Sequence, residues 1–253
     1  MLVVNKVSKT FGGVKAVQAI SFSIKERTIS SVIGPNGAGK TTLFNLISGI
    51  CRPSEGEILL DGENIANQSP DQLARRGMSR TFQNLQVCMN MSALENVMVG
   101  AHLRLNSGLF AGMLRMSSLS RAENKCREEA SGLMEFAGVG SYVKAHASQM
   151  PYGALKRLEI ARALAAEPRL LLLDEPAAGL NHTETAEIDA LIQKVAGSGV
   201  TVVLVEHNMK LVMNLSDHIL VLDYGKKLAE GTAAEVRTNP EVVAAYLGAS
   251  TWM

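Results

Sequence analysis

The sequence predicts an α/β fold with a mostly parallel sheet, a β-rich layer near the N-terminus and an inserted helical segment. Three observations carry this. Strand-like runs at Arg169–Leu173, Val200–Val205 and His218–Leu222 alternate with helix-like runs at Thr183–Ala196 and Asn208–Asn214, and such alternation implies right-handed crossovers between parallel strands. Residues 92–164 read as mostly helical. Further β-favouring runs lie at Leu2–Val7, Ile20–Ile24 and Gly56–Gly62.

Gly12-Gly13 supplies the turn that joins the first two strands. The strand-like Thr28–Ile33 then runs into Gly34-Pro35-Asn36-Gly37-Ala38-Gly39-Lys40-Thr41, followed by a helix-like stretch from Thr42 to Ile47. This run fits G-x-x-x-x-G-K-[ST] in the strand–loop–helix setting that the motif requires. Its glycines let successive backbone N–H groups turn toward phosphate oxygens, and the helix N-terminus adds a positive dipole end. Lys40 is placed to reach the β- and γ-phosphates, and the Thr41 hydroxyl to hold Mg²⁺. Nucleotide binding is therefore the first functional expectation.

Gln83, in Arg80-Thr81-Phe82-Gln83, follows a predicted strand and precedes the helical region. A side-chain amide there can meet both Mg²⁺ and water and so report the γ-phosphate. Within the helical region, the polar run Ser120–Ala130 reads as a solvated helix face. Asn106-Ser107-Gly108 and Met116-Ser117-Ser118 are candidate breaks. Met150 to Leu164 reads as a strongly amphipathic helix whose small, turn-like start forms an anion site. That site gains a purpose if it faces a nucleotide held by another subunit.

Leu170-Leu171-Leu172-Leu173 is an apolar strand ending in Asp174-Glu175. At a strand's end the backbone can turn both acids toward one site, Asp174 suiting the Mg²⁺ shell and Glu175 the water that attacks the γ-phosphate. Glu167 and Glu184 lack such a setting and read as surface. His207 ends the strand that begins at Thr201, where an imidazole can touch the γ-phosphate.

Composition narrows the alternatives. A formal charge of +1 over 253 residues argues against a nucleic-acid surface built on bulk electrostatics. The start, Met1-Leu2-Val3-Val4-Asn5-Lys6, shows no secretory signal, and no apolar run reaches membrane-spanning length. Three scattered cysteines, Cys51, Cys88 and Cys126, suit a reducing compartment without a metal site. A cytosolic chain able to dock on a membrane protein is the expectation.

Taken in order, these stations resemble the ATP-binding subunits of ABC transporters, essentially from Leu2 to Gly248. The resemblance makes Gly34–Thr41 the Walker A loop, Gln83 the Q-loop residue and Met150–Ala154 the signature. It makes Leu170–Asp174 the Walker B strand with Glu175 catalytic, Ala178-Gly179-Leu180-Asn181 the D-loop, and His207 the switch histidine. The implied fold is a P-loop NTPase core with an N-terminal antiparallel β layer and an inserted helical subdomain. The implied division is one domain over 1–253, with 1–84 and 165–253 as the core and 85–164 as the helical part.

The resemblance further implies that Phe11 stacks on adenine and that Gly34, Pro35, Asn36, Gly37, Ala38, Gly39, Lys40, Thr41 and Thr42 hold ATP. It gives Mg²⁺ to Thr41, Gln83 and Asp174, and places Tyr152 and Gly153 against the partner subunit's nucleotide. The signature departs from Leu-Ser-Gly-Gly-Gln, because Ala154 lacks a side-chain donor and the Ser hydroxyl is gone.

Arg80-Thr81-Phe82-Gln83, the Tyr152 signature, Glu206-His207-Asn208-Met209 and the tail around Asn239-Pro240 and Ala245–Gly248 resemble branched-chain amino acid importer ATPases. Ser107–Leu114 resembles the longer of their two ATPase types. This implies a second ATPase subunit, two membrane permeases and an external substrate-binding protein, with the chain peripheral on the cytoplasmic face of the inner membrane. Urea or amide import and lipopolysaccharide export stay open as other cargoes. A soluble ABC ATPase acting on ribosomes or DNA fits less well, since no second ATPase unit or long coiled coil is present.

Overall fold

The computed structural model describes residues 1–104 and 116–247. Strands β1 (Leu2–Phe11) and β2 (Val14–Ile24) pair antiparallel around the Gly12-Gly13 turn. With β4 (Glu55–Leu60) and β5 (Glu63–Asn64) they form a four-stranded antiparallel sheet in the order β2-β1-β4-β5.

The second sheet contains β3 (Ile29–Ile33), β6 (Met78–Arg80), β7 (Leu170–Asp174), β8 (Thr201–Val205), β9 (His218–Asp223) and β10 (Lys226–Gly231). Its order is β10-β9-β3-β8-β7-β6, parallel throughout except at the β9–β10 hairpin. The four leucines of β7 follow from burial on both faces. Leu170 and Leu172 pack with the antiparallel sheet, whereas Leu171 and Leu173 pack with the helical region.

Helix α1 (Lys40–Ile47) rises from the phosphate loop, and α2 (Pro70–Arg75) leads into β6. Helices α3 (Ala93–Gly100), α4 (Met116–Phe136) and α5 (Tyr152–Leu164) occupy the excursion between the neighbouring strands β6 and β7. The chain therefore leaves and re-enters the sheet at adjacent positions. Helices α6 (His182–Gly197), α7 (Met209–Leu215), α8 (Ala233–Thr238) and α9 (Pro240–Leu247) complete the described fold. Among the described residues, no helix is long and apolar enough to cross a membrane.

Several expectations change. Helix α5 is not amphipathic but buried around most of its circumference, with even Lys156 and Glu159 enclosed, because α3, α4 and the sheet surround it. Met116–Ser118 opens α4 rather than breaking a helix. Glu184 is not a bare surface acid: it closes a capping box with Asn181 at the start of α6. Strand β10 and helices α8 and α9 were not expected from the sequence pattern. The Ser107–Leu114 segment, the Asn106–Gly108 break and Gly248 lie outside the described residues.

Candidate active site

The phosphate loop spans the carboxyl end of the central strand β3, where ligands of open α/β sheets bind. The Ala38 carbonyl accepts from Gly225 N at 3.1 Å, and Gly225 in turn accepts from Gln18 N at 2.7 Å. These bonds tie the loop to the β9–β10 turn and to β2. Gly39 adopts φ 97°, and a Cβ there would stand 2.6 Å from the Ala16 carbonyl oxygen. Only glycine meets both demands without strain.

Lys40 is buried and donates from Nζ to the carbonyls of Gly34 at 2.7 Å and Pro35 at 2.9 Å. Burial lowers its pKa, while the charges of Glu175 and Asp174 pull it back upward. The ammonium thus folds over its own loop, close to where phosphates would lie. A cavity of about 680 Å³ opens here, lined by Asn36–Thr42, the Gly13–Ala16 turn, Gln18, Glu175, His207 and Tyr224-Gly225.

Glu175 stands just beyond β7 at φ 49°, its N–H bonded to the Val205 carbonyl at 2.9 Å. That backbone turn brings the carboxylate to the cavity. Gln83 Nε2 donates to Glu175 Oε2 at 2.9 Å, and His207 Nε2 lies 2.6 Å from Oε1. The neighbouring Glu206 is buried and accepts the N–H groups of Ala177, His207 and Asn208. Its carboxyl fixes the backbone on both sides of the site, and burial raises its pKa.

Asp174 is also buried, and its Oδ2 accepts from Arg80 Nη2 at 2.8 Å. Arg80 donates as well to Asn45 Oδ1 and Ser48 Oγ of the α1 segment, at 2.8 and 2.7 Å. Arg80 therefore links the end of β7 to the helix that follows the phosphate loop.

Tyr152, half-exposed, opens α5, and its ring lies against Gly179. Gly153 is buried, and a Cβ there would meet Glu184 Oε1 at 2.5 Å. Since the capping box holds Glu184, close approach of α5 to α6 requires glycine.

The structure thus brings Lys40, Thr41, Glu175 and His207 around one cavity and joins Gln83 to it through Glu175. Asp174 sits one residue behind, held by Arg80. Tyr152 and Gly153 are not among the residues lining this cavity. Phe11 is exposed beside Lys9 and does not line it either, although its cross-strand partner Val14 does. Arg80, Glu206 and the cavity-lining Tyr224 had no assigned role at the sequence level. An arginine two residues before a phenylalanine–glutamine pair was the one local signal for the first.

The ABC transporter family model matches residues 17–178, and the branched-chain amino acid ATP-binding cassette transporter model matches residues 226–250. The chain is 44% identical to the high-affinity branched-chain amino acid transport ATP-binding protein BraF of Pseudomonas aeruginosa, over 98% of each chain. The crystal structure of a nucleotide-free ATP-binding cassette from an ABC transporter superposes with a TM-score of 0.85 at 30% identity, over 97% of this chain and 98% of that one. A dimeric, post-hydrolysis ATP-binding cassette bound to ADP and Pi gives 0.76 at 27% identity, over 92% of this chain and 99% of that one. With its phosphate loop, its paired acids at the end of β7 and these matches along nearly its whole length, the chain belongs to the ABC transporter family, in the branch of branched-chain amino acid transport ATP-binding proteins.

Proposed function

We propose that this chain is an ATP-hydrolysing subunit that powers import of branched-chain amino acids through a membrane permease. The observation that carries the chemistry is the Glu175 carboxylate, bracketed by Gln83 and His207 at the mouth of the phosphate-loop cavity. The cargo rests on likeness to BraF and on the match at residues 226–250.

In this reading residues Gly34 to Thr42 wrap the phosphates, and Lys40 leaves the carbonyls of Gly34 and Pro35 to meet the β- and γ-oxygens. Glu175 orients and deprotonates the attacking water, while His207 holds that carboxylate and reaches toward the γ-phosphate. Thr41, Gln83 and Asp174 offer oxygen donors that fit Mg²⁺, and Arg80 occupies only Oδ2 of Asp174. When bound, the ion would offset charge on the phosphates. Phe11, exposed beside the cavity-lining turn, would stack on adenine.

Two such subunits close head to tail, so that Tyr152 and Gly153 of one face the nucleotide of the other. The dimeric relative bound to ADP and Pi supports pairing of two such subunits. Residues 85–164 act as the helical part of one domain, and the stretch near Gln83 to Val97 passes closure to two permeases at the cytoplasmic face of the membrane. The second ATPase is a copy of this chain or, as the resemblance favours, a shorter sister, and an external binding protein delivers the cargo.

The test is to tag the chain, solubilise its host membranes gently and identify what co-purifies. Two permeases and a shorter ATPase are expected, and the ligand of the associated binding protein then identifies the cargo. Recovery only with ribosomal or repair proteins would overturn the transport reading.

A further inference from the structure

Helix α5 carries two charged residues that the ATPase reading leaves without a task. Lys156 and Glu159 are 2% and 5% exposed. Buried charges are costly unless they are paired and hydrogen-bonded. Both find partners on one short segment of the chain. Lys156 Nζ donates to the Gln83 carbonyl at 3.0 Å. Glu159 Oε1 accepts the Gln86 N–H at 3.2 Å, and the nearby Phe82 N–H also favours the charged carboxylate. One turn further on, Arg162 donates to the Gln86 carbonyl.

Three successive turns of one helix thus grip both ends of the segment from Gln83 to Gln86. The first residue of that segment sends its side chain to Glu175. At the other end of the grip, the Lys156 ammonium stands 5.9 Å from the Tyr152 ring.

We propose that Lys156 and Glu159 are positioning residues that lock the Gln83 loop to α5, so that a shift of the Tyr152 end of the helix moves Gln83 and with it Glu175. This rests on the ATPase reading and names the side chains that carry its coupling. The loop itself is exposed at Phe82, Gln83, Asn84 and Gln86, and Leu85 alone within it packs against the core, so these bonds hold its exposed part. Without the clamp, α5 and the loop would move independently, and the water-orienting carboxylate would lose its register.

The test compares Lys156→Met, Glu159→Ala and Glu159→Gln in the full chain. Glutamine keeps a carbonyl for the Gln86 N–H, whereas alanine orphans it. Lys156→Met and Glu159→Ala should lower kcat by about tenfold or more, since small misplacements near the reacting atoms cost up to roughly 100-fold. Trinitrophenyl-ATP affinity should stay within about twofold, because the phosphate loop is untouched. Amide hydrogen exchange at residues 82–86 should accelerate in both variants, and Glu159→Gln should recover protection and rate together.

A kcat unchanged in both variants, a loss matched by equal loss of nucleotide affinity, or a glutamine variant as impaired as alanine would each overturn the proposal. So would unchanged exchange at residues 82–86. Accelerated exchange confined to that segment supports the clamp even if the parent chain proves to lack turnover, a result that would remove only the ATPase reading.

Discussion

His207 Nε2 and Glu175 Oε1 lie 2.6 Å apart, and Gln83 Nε2 holds the second carboxylate oxygen at 2.9 Å. Both oxygens of Glu175 are therefore engaged by groups from two other segments, which hold the carboxylate in place. Glu175→Gln should lower kcat by roughly 10²- to 10⁴-fold, the usual worth of a general base. ATP should then hold two chains together as a stable dimer on size-exclusion chromatography. Rapid turnover by a monomeric Gln variant would contradict the assignment.

Lys40→Met removes the ammonium that folds over the phosphate loop. A hydrogen bond to a charged group contributes about 1.5–3 kcal/mol, so ATP affinity should fall about tenfold to more than a hundredfold. Equilibrium binding reads this directly, and unaltered affinity would place the phosphates elsewhere.

Gly39→Ala confronts both a positive φ and the Ala16 carbonyl at 2.6 Å. The expected cost is about 1–3 kcal/mol of stability, together with weaker nucleotide binding because the loop must shift. Thermal unfolding with and without ATP separates the two effects. An alanine variant as stable as the parent would show that the loop relaxes freely.

Arg80→Ala leaves the Asp174 carboxylate buried without its partner. Breaking a buried pair from one side costs about 3–5 kcal/mol, which a urea titration detects readily. Lysine should rescue only partly, since one ammonium cannot reproduce the planar fork that now serves Asp174, Asn45 and Ser48.

Burial raises the Glu206 carboxyl above its ordinary value of 4.5, with a smaller upward push from Glu175. The folded chain therefore keeps this proton to a higher pH than the unfolded chain does. The stabilisation is fully present below the unfolded value and is lost as pH rises through the raised folded one. Glu206→Gln cannot titrate, so its stability relative to the parent should rise as pH increases from about 4.5. Paired urea titrations across that range measure the slope; a difference independent of pH would show that Glu206 ionises normally in the fold.

The strands and the phosphate loop were readable because their signals are local. Four consecutive leucines before Asp174 need burial on both faces, and a glycine-rich turn between strand and helix has few other uses. What escaped depends on partners far along the chain. Arg80 meets Asp174 across 94 positions, and Lys156 meets Gln83 across 73. Neither distance leaves a periodic trace. The pattern of α5 misleads for the same reason: its charged residues look solvated until the loop from Phe82 to Gln86 is laid over them. Strand β10 reads as Lys-Lys-Leu-Ala-Glu-Gly, an edge composition with little β signal, and takes its conformation from pairing with β9.

The order of strands in the parallel sheet also bears on how the protein is made. Strand β3, at residues 29–33, finds both neighbours in β8 and β9, which end at residue 223. A nascent chain therefore carries its phosphate loop out of the ribosome with only the antiparallel sheet for α1 to pack against, and Gly225, which fastens that loop, follows much later. Contacts so distant in sequence make for slow folding and prolonged exposure of apolar strands. Products of premature termination before this point should retain no partial nucleotide binding and should be cleared or aggregate, so synthesis of this subunit is in effect all or nothing.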